Sequence, residues 1–533
     1  MPSRPLRLLA SLLSPLALVA CHAAAQQPAP PAATGRPTLV VFITIDQFGS
    51  DYLDRYGGNL TGGIARLRDG GATWLRGRHD HAISETAPGH ATTMSGRFPV
   101  HTGISSNSQG VNTADAPLLG APDVGASPFR FRGTTLFDWM AAADPRTRAL
   151  SVSRKDRGAI LPIGRAKTDV YWYASNGIFT TSRYYRDTLP TWVREFNARQ
   201  LPQGFAGRTW APLLPADRYA EPDSNPLESS GRDYVFPHVL PDDPAQVVGA
   251  IRDTPFMDSL TLAFALAGVR RLELGALPGR TDLLAVSLSS TDAVGHKYGP
   301  DSKEIHDQIL RVDRYLGAFL DSLVALRGPG RLLVALTADH GVSPFPEWRS
   351  PYYPNAHAQR VDPRNAWRLA YAAMRAAGVD TAAVDADDGF RVVDREAFRR
   401  ANVDPDRIAR IWVDALRPLN GVMRAALLSE LAAADTVHDA IARRWLHMLP
   451  LDGPVRAVVT PEPFGYWWNV TYATHGLPHD SDTQVPVILW GPGIAPGRRA
   501  GEARVVDMAP TLAALLGVRP LEALDGRVLP VQP

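Results

Sequence analysis

Aspartate and histidine side chains occur together at short spacing in several segments of the chain. Asp292 and His296 are four residues apart, and Asp339 and His340 are adjacent. The full set of candidate metal ligands is Asp46, Asp292, His296, Asp339, His340 and His475. Carboxylate and imidazole ligands without thiolate favour zinc, and six of them divide into two sites of three with positions open for chemistry. These residue types therefore predict a centre with two zinc ions.

Three of these segments follow apolar runs that predict buried strands. The runs cover residues 39–45, 282–288 and 331–336, and their near-continuous apolar character is typical of parallel strands covered on both faces. A fourth run, residues 485–490, follows His475 and is interpreted as a further strand of the same sheet. Ligands of an open α/β sheet gather outside the carboxyl ends of its strands. We therefore expect the candidate ligands to meet at one edge of the sheet.

Thr86 carries a hydroxyl group that is a candidate nucleophile. It stands two residues before Pro88 and just ahead of a stretch with helical character. Threonine is favoured before a helix and proline in its first turn, where free N–H groups and the helix dipole favour an anion. A plain N-cap threonine is the alternative interpretation. Beside a pair of metal ions, however, such a hydroxyl is suited to attack phosphorus.

The order and local sequence of these segments resemble the alkaline phosphatase superfamily. The resemblance rests on Asp46, the Thr86 segment, residues 292–300, Asp-His-Gly at residues 339–341 and Thr-His-Gly at residues 474–476. Within the superfamily the chain is most similar to the phosphate-irrepressible alkaline phosphatases and to the type I phosphodiesterase/nucleotide pyrophosphatase family. The resemblance implies an α/β fold with a doubly wound, mostly parallel sheet, helices on both faces and inserted cap regions.

The same resemblance implies how the metal ligands are grouped. One zinc ion would be held by Asp292, His296 and His475, and the other by Asp46, Asp339, His340 and the oxygen of Thr86. His479 is a rival for His475, but the family's ligand is the histidine followed directly by glycine. Thr86 would attack the phosphoryl group in line, and water would later hydrolyse the phosphothreonine.

Three further residues are implied as substrate ligands. The phosphate-irrepressible subgroup meets the extra negative charge of a monoester with a Lys-x-Arg pair and an asparagine, which correspond here to Lys155, Arg157 and Asn107. A solvated charge run is the alternative interpretation of residues 154–157. Lys155 is one of only four lysines among 56 basic residues, which favours a role for its compact ammonium group.

The amino-terminal residues predict export. Arg4 and Arg7 precede an apolar run at residues 8–20, which is too short to span a bilayer and is typical of a signal peptide over residues 1–21. The run ends in Leu-Val-Ala-Cys, which resembles a lipobox that would place a lipid anchor on Cys21; residues 23–25 offer an ordinary cleavage site instead. Either route predicts a periplasmic or cell-envelope protein. Cys21 is the only cysteine, so intramolecular disulfides are excluded.

The remaining chain is expected to form one discontinuous domain. Residues 22–36, rich in alanine, glutamine and proline, predict a flexible tether. Residues 37–533 would form the catalytic domain, because ligands spread over so much of the chain must meet in one place. Insertions are expected at about residues 195–260 and 345–460, the latter a cap with helical pattern over residues 365–449. Without Arg4 and Arg7 the chain has 54 basic and 54 acidic residues, so no nucleic-acid surface is expected.

Together these features predict an exported, zinc-dependent phosphomonoesterase that acts on small phosphate esters. A phosphodiesterase or nucleotide pyrophosphatase would use the same metals without needing Lys155 and Arg157. A noncatalytic envelope-binding protein would be expected to have lost a ligand or the nucleophile, and a sulfatase would need cysteine or serine in place of Thr86. Residues 464–468, Phe-Gly-Tyr-Trp-Trp, are interpreted as core rather than as a platform for an organic leaving group.

Overall fold

The computed structural model describes residues 36–532, except for residues 349, 353–358 and 388. The expected signal peptide with Cys21, and the expected tether up to residue 35, lie outside the described residues. Within the described part of the chain, no helix combines the length and apolar character needed to cross a membrane.

The secondary-structure elements are numbered in chain order. The strands are β1 (Leu39–Ile45), β2 (Ala72–Arg78), β3 (Ala149–Ser153), β4 (Asp169–Tyr173), β5 (Phe179–Thr180), β6 (Thr209–Trp210), β7 (His238–Val239), β8 (Asp282–Leu288), β9 (Leu332–Thr337), β10 (Arg360–Val361), β11 (Val384–Asp385), β12 (Phe390–Val392), β13 (Val422–Leu427), β14 (Val455–Pro461), β15 (Tyr466–Trp467), β16 (Val487–Trp490) and β17 (Gly497–Arg504). The α-helices are α1 (Tyr52–Arg55), α2 (Gly63–Gly70), α3 (Thr86–Thr93), α4 (Pro99–Thr102), α5 (Leu136–Ala143), α6 (Asp156–Ile160), α7 (Thr191–Ala198), α8 (Pro244–Ala250), α9 (Phe256–Arg271), α10 (Ser290–Tyr298), α11 (Lys303–Arg327), α12 (Arg364–Ala376), α13 (Arg395–Arg400), α14 (Pro405–Leu416), α15 (Leu428–Ala432), α16 (Ala440–Met448), α17 (Asp480–Thr483) and α18 (Met508–Leu516).

A nine-stranded sheet forms the centre of the molecule, in the order β17-β2-β16-β9-β1-β8-β3-β4-β5. The neighbours β9, β1, β8, β3 and β4 are all parallel. β16 is antiparallel to both β9 and β2, and β5 is antiparallel to β4. Every residue of β1 and β8 is buried, so both faces of the sheet are covered. The predicted doubly wound, mostly parallel α/β fold is confirmed.

The strands predicted from apolar runs are present with small shifts at their ends. β1 and β8 have the predicted bounds, whereas β9 and β16 begin one and two residues later than predicted. Because β16 runs opposite to β9, the chain before β16 approaches the same edge at which the parallel strands end. His475 is therefore brought to that edge although its segment precedes a strand rather than following one.

A separate antiparallel sheet, in the order β11-β12-β14-β13, forms part of the cap. It packs against α12 and α14 around a hydrophobic cluster of its own that includes Phe390 and Trp412. The sequence pattern indicated helices in this stretch but not the strands β11, β12 and β13, because the strands are short and lack clear alternation. The helical pattern is interrupted before Pro405, which begins α14, where its missing N–H is not needed.

The region predicted as the first insertion, residues 195–260, packs onto the central domain. It contains the antiparallel pair β6–β7 and the helix α8. The buried Trp210 of β6 donates its indole N–H to Asp307 Oδ2 on α11 at 2.6 Å. This hydrogen bond ties the region to the helix that leads towards β9.

The start of α2 is held by a carboxylate of α11. Asp313, which is buried, accepts hydrogen bonds from the backbone N–H groups of Thr61, Gly62 and Ala65 at 2.8, 2.5 and 3.1 Å. The first N–H groups of a helix have no partner within the helix, and a negative charge there also favours the helix dipole. Asp313 therefore fixes α2 against α11.

Replacing Asp313 should destabilise the central domain. Asp313→Ala would leave three N–H groups at the start of α2 without this acceptor, of which the Ala65 N–H is buried. The free energy of unfolding should therefore fall by about 1–3 kcal/mol in urea denaturation followed by circular dichroism. Asp321→Ala is the matched control on α11, because Asp321 is exposed and pairs with the exposed Arg66; its effect should stay below about 0.5 kcal/mol. Equal effects of the two substitutions would contradict this role of Asp313.

Candidate active site

Four neighbouring strands end side by side at one edge of the central sheet. Ser153 of β3 pairs with Ser287 of β8, Ile45 of β1 with Leu288, and Thr44 with Thr337 of β9. The next residues along each chain segment are therefore neighbours in space. They supply Lys155 after β3, Asp292 after β8, Asp46 after β1, and Asp339 and His340 after β9.

The first cluster consists of Asp46, Asp339 and His340. All three are fully buried. His340 Nε2 lies 3.4 Å from Asp46 Oδ1 and 3.5 Å from Asp339 Oδ2. One ligand atom from each residue lies within 4.8 Å of the others, which is close enough to hold a metal ion. This is the protein part of one predicted ligand group.

The second cluster is built around Asp292. Its Oδ1 lies 3.2 Å from His296 Nε2 and 3.7 Å from His475 Nε2. The compact group with metal-ligand spacing, however, contains His340 together with Asp292 and His475, and not His296. The rings of His340 and His475 stack with centroids 3.6 Å apart. His340 therefore borders both clusters, whereas His296 contacts Asp292 from the outer side of the second.

Each of the three imidazoles is held through its Nδ1 atom by a main-chain carbonyl group. His296 Nδ1 lies 2.7 Å from the carbonyl oxygen of Ala473, and His475 Nδ1 lies 2.6 Å from that of Ser84. His340 Nδ1 lies 2.9 Å from the carbonyl oxygen of Gly341. A carbonyl oxygen can only accept, so in the neutral ring Nδ1 carries the proton and Nε2 presents a lone pair. This is the orientation of a metal-binding histidine.

Several polar atoms of the clusters are buried without a hydrogen-bond partner. Within the described residues these include Asp46 Oδ1, Asp339 Oδ2 and His340 Nε2. Buried carboxylates are costly unless a cation or hydrogen-bond donors compensate them. The chemistry and arrangement of these donor atoms fit a divalent metal ion with nitrogen and oxygen ligands.

The clusters also shift the protonation of their members. Burial lowers the pKa of His475 to about 3, so its ring is neutral at physiological pH. Burial would also lower the pKa of His340, but Asp339 and Asp46 outweigh it and raise the pKa to about 9. Burial and the nearby Asp46 raise the pKa of Asp339. The site therefore attracts positive charge, either as protons or as metal ions.

Lys155 connects the two clusters to the candidate nucleophile. Its Nζ lies 2.6 Å from Asp46 Oδ2, 2.7 Å from Asp292 Oδ2 and 3.2 Å from Thr86 Oγ1. Burial by itself raises the pKa of both carboxyl groups, but the Lys155 ammonium and the neighbouring imidazoles lower the pKa of Asp46 and Asp292 below the usual value. Thr86 and both clusters therefore meet at one ammonium group.

Thr86 is the first residue of α3 rather than its N-cap, which is Glu85. Asn107 lies beside it, because Asn107 Oδ1 accepts a hydrogen bond from Ala87 N at 2.9 Å. The backbone N–H of Asn107 in turn donates to Glu85 Oε2 at 2.7 Å. Asn107 is thereby fixed next to the first turn of α3.

Two residues singled out in the sequence lie outside this contact network. Within the described residues, the Arg157 guanidinium forms its ion pair with Asp156, at 3.6 Å, and not with a carboxylate of either cluster. His479 Nε2 bonds to the carbonyl oxygen of Pro461 at 2.8 Å. The structure thus brings His475, and not His479, to the carboxylates.

Gln47 was not identified from the sequence but contacts both clusters. It follows Asp46 with a left-handed backbone conformation, φ 64°, and is fully buried. Its backbone N–H donates to Asp339 Oδ1 and its side-chain Nε2 to Asp292 Oδ1, both at 3.1 Å. A side chain on Gly295 would have its Cβ only 1.8 Å from Gln47 Oε1, so glycine there makes room for this amide. The only sequence signal was its position directly after a ligand.

His90 and Gly89 position α3 against the first cluster. His90 Nδ1 lies 2.8 Å from the carbonyl oxygen of Thr86 and 3.1 Å from Asp339 Oδ2. A Cβ on Gly89 would lie 2.1 Å from the carbonyl oxygen of Asp339, so α3 approaches the ligand's main chain as closely as glycine allows. The sequence alone could not show this contact between distant segments.

The sheet, the two carboxylate–imidazole clusters and the helix-terminal threonine define this protein as a member of the alkaline phosphatase superfamily. Residues 40–407 match the family model of type I phosphodiesterases and nucleotide pyrophosphatases, so the chain belongs to this family. It is 31% identical to alkaline phosphatase PhoV of Synechococcus elongatus, over 94% of this chain and 93% of the relative. The predicted family is confirmed.

Solved structures agree with this assignment. The crystal structure of alkaline phosphatase PafA matches with a TM-score of 0.84 and 27% identity, over 93% of this chain and 99% of that chain. A PafA variant with one threonine, one asparagine, one lysine and one arginine substituted matches with a TM-score of 0.83 and 26% identity. These residue types follow the order of Thr86, Asn107, Lys155 and Arg157, although this chain is shorter between the asparagine and the lysine.

Substituting Gly89 should weaken metal binding. Gly89→Ala would force α3 and Asp339 apart, so affinity for a divalent metal, measured with zinc in competition with a chromophoric chelator, should fall at least about 10-fold. Gly204→Ala is the control, because a Cβ at Gly204 meets no atom within 4 Å. Unchanged zinc affinity of a folded Gly89→Ala protein would contradict the close approach of α3 to the cluster.

Proposed function

We propose that this chain is an exported, zinc-dependent phosphomonoesterase that uses Thr86 as its nucleophile. The observation that carries the proposal is the position of Lys155 Nζ, 3.2 Å from Thr86 Oγ1 and bonded to a carboxylate of each cluster. The nucleophile, a positive charge and both sets of candidate ligands therefore lie close together. The matching relatives named alkaline phosphatase support the same activity.

Two zinc ions are proposed as the cofactors. One would be held by Asp46, Asp339, His340 and the Thr86 oxygen, and the other by Asp292, His296 and His475. When bound, zinc would activate the threonine hydroxyl, polarise the phosphoryl oxygens and stabilise charge on the leaving oxygen.

The chain's own residues would organise the substrate around Thr86. Thr86 Oγ would attack phosphorus in line, break the ester P–O bond and release the alcohol, which leaves a phosphothreonine. Water would then hydrolyse this ester, which releases phosphate and restores the threonine hydroxyl. Because Asn107 Oδ1 accepts from Ala87 N, the amide is oriented with its Nδ2 group free to donate to a phosphoryl oxygen. The first turn of α3 adds the positive end of its dipole.

Lys155 favours a monoester over a diester. A monoester carries one more negative charge on its phosphoryl oxygens, and a compact ammonium group is suited to compensate it. Arg157 is proposed as a second cation that compensates this negative charge, because it carries a long side chain and lies in the turn that follows Lys155. A diester lacks this additional negative charge, so a phosphodiesterase would gain little from Lys155 or Arg157. A noncatalytic binding protein would have no use for the nucleophile and ligand atoms that the described residues retain.

Export and anchoring are part of the proposal. Residues 1–21 would direct the chain to the periplasm or cell envelope, either with a lipid on Cys21 or after cleavage near residues 23–25. The substrates would be small, soluble phosphate esters.

Replacing Lys155 should narrow the preference for monoesters. Lys155→Ala should lower kcat/KM for an aryl phosphate monoester by about 10²–10³, because one donor to the developing phosphoryl charge is lost. The matching aryl diester should change far less. Lys167→Ala is the control, since Lys167 lies over the Tyr184 ring, 5.1 Å from its centroid, away from the clusters. A wild-type preference for the diester would overturn the monoesterase proposal.

Metal removal should abolish activity reversibly. Dialysis against a chelator should eliminate hydrolysis and added zinc should restore it, with about two metal ions per chain found by elemental analysis. His475→Ala should lose zinc and activity. His479→Ala should retain both, because the His479 ring bonds to the carbonyl oxygen of Pro461 and, within the described residues, to neither cluster. Full activity in a chelator-treated, metal-free sample would refute the dimetal mechanism.

A further inference from the structure

A cavity of about 330 Å³ lies between the cap and the segments next to Thr86 and His475. Its wall holds an unusual concentration of indole rings, namely Trp367, Trp412, Trp445, Trp467 and Trp468. The volume is at the lower end of the range found for small-molecule sites, about 300–1,000 Å³. The chain holds 12 tryptophans, so nearly half of them face this one space.

The cavity lies next to the candidate active site. Glu85, which precedes Thr86, and Gly476, which follows His475, both line it. In an in-line attack by Thr86 the leaving oxygen departs on the side opposite the nucleophile. The proposed ligand grouping puts that side at Asp292 and His475. The leaving group would therefore point towards Gly476 and into the cavity.

The indole rings offer flat surfaces that other residues hold in place. Trp367 stacks on Phe390 with an interplanar angle of 8°. Trp445 donates its N–H to Thr460 Oγ1 at 2.8 Å. Trp468 is 43% exposed, and the Arg364 guanidinium lies 4.1 Å from its ring centroid. Interpreting residues 464–468 purely as core is therefore wrong for Trp468, because much of this ring remains accessible.

The charge around the cavity does not favour an organic cation. Asp387 accepts hydrogen bonds from Gln109 at 3.0 Å, from Arg391 at 2.9 Å, and from Ser108. The Glu85 carboxylate accepts a hydrogen bond from the Asn107 N–H at 2.7 Å. Both acidic groups in the wall are thus already compensated, whereas cages for quaternary ammonium groups combine aromatic faces with available negative charge.

We infer that this tryptophan-lined cavity binds the leaving group of the substrate and selects flat aromatic leaving groups, such as nucleosides. The inference rests on the proposed phosphomonoesterase function and specifies its substrate class. Stacking of a base on aromatic side chains is tolerant of base identity, so the cavity selects for aromaticity rather than for one particular base.

A matched pair of substrates tests the inference. Adenosine 5′-monophosphate and ribose 5-phosphate both leave through a primary alkoxide and differ by the base. Wild-type kcat/KM should be at least about 10-fold higher for the nucleotide. Adenosine should inhibit hydrolysis of ribose 5-phosphate competitively, and ribose should not.

Substitution of Trp468 localises the effect. Trp468→Ala should reduce the nucleotide preference to about 3-fold or less while leaving ribose 5-phosphate hydrolysis unchanged, and Trp468→Phe should preserve most of the preference. Trp490→Ala is the control, because Trp490 ends β16 opposite Val334 near the start of β9, away from the ligand edge. The nucleotide preference of the Trp490→Ala variant should equal that of the wild type.

The outcomes separate this inference from the proposed function. Equal kcat/KM values for the two substrates, or a nucleotide preference unaffected by Trp468→Ala, would overturn the leaving-group site and leave the phosphomonoesterase standing. If the protein hydrolysed choline phosphate faster than the nucleotide, that result would also overturn the leaving-group site, in favour of a site for organic cations. Failure of the zinc-loaded protein to hydrolyse any monoester would overturn both.

Discussion

The mutual repulsion of Asp46, Asp292 and Asp339 is the constraint on which the site depends. Three carboxylates are buried at one sheet edge, where water cannot screen them. Their positions come from three adjacent parallel strands, so they cannot separate without disrupting the sheet. Positive charge must therefore come to them, from the Lys155 ammonium, the imidazole of His340 or bound metal ions. The same excess of negative charge that would destabilise the fold gives the site its affinity for cations.

Main-chain atoms from several segments give this charged centre its geometry. The carbonyl groups of Ser84, Gly341 and Ala473 fix the three imidazoles, and backbone N–H groups hold the carboxylate of Asp339 and the amide of Asn107. These groups do not depend on side-chain rotamers, so the ligand atoms are preorganised. The cap adds an apolar aromatic surface beside this polar centre. The phosphoryl group and the leaving group are therefore recognised by different surfaces.

The sequence predicted the fold and singled out most of the residues that the structure brings together, whose roles stay predictions. Long apolar runs identified β1, β8 and β9, and the ligands follow those runs directly. Gln47, His90 and Gly89 were missed because their roles depend on contacts between segments far apart in the chain. The strands β11 and β12 span two and three residues, too few to show alternation. Arg157 matched a family spacing, yet its guanidinium pairs with Asp156. The domain boundaries remain a prediction.

The place of β16 in the sheet has a consequence for how the protein is made. β16 lies between β9 and β2, although its residues, 487–490, come almost last in the chain. Until that segment emerges, β9 and β2 each present an unpaired edge that invites association with other chains. The central sheet can therefore close only after residues 487–490 have been synthesised, and the chain would need to stay unfolded or chaperoned until then.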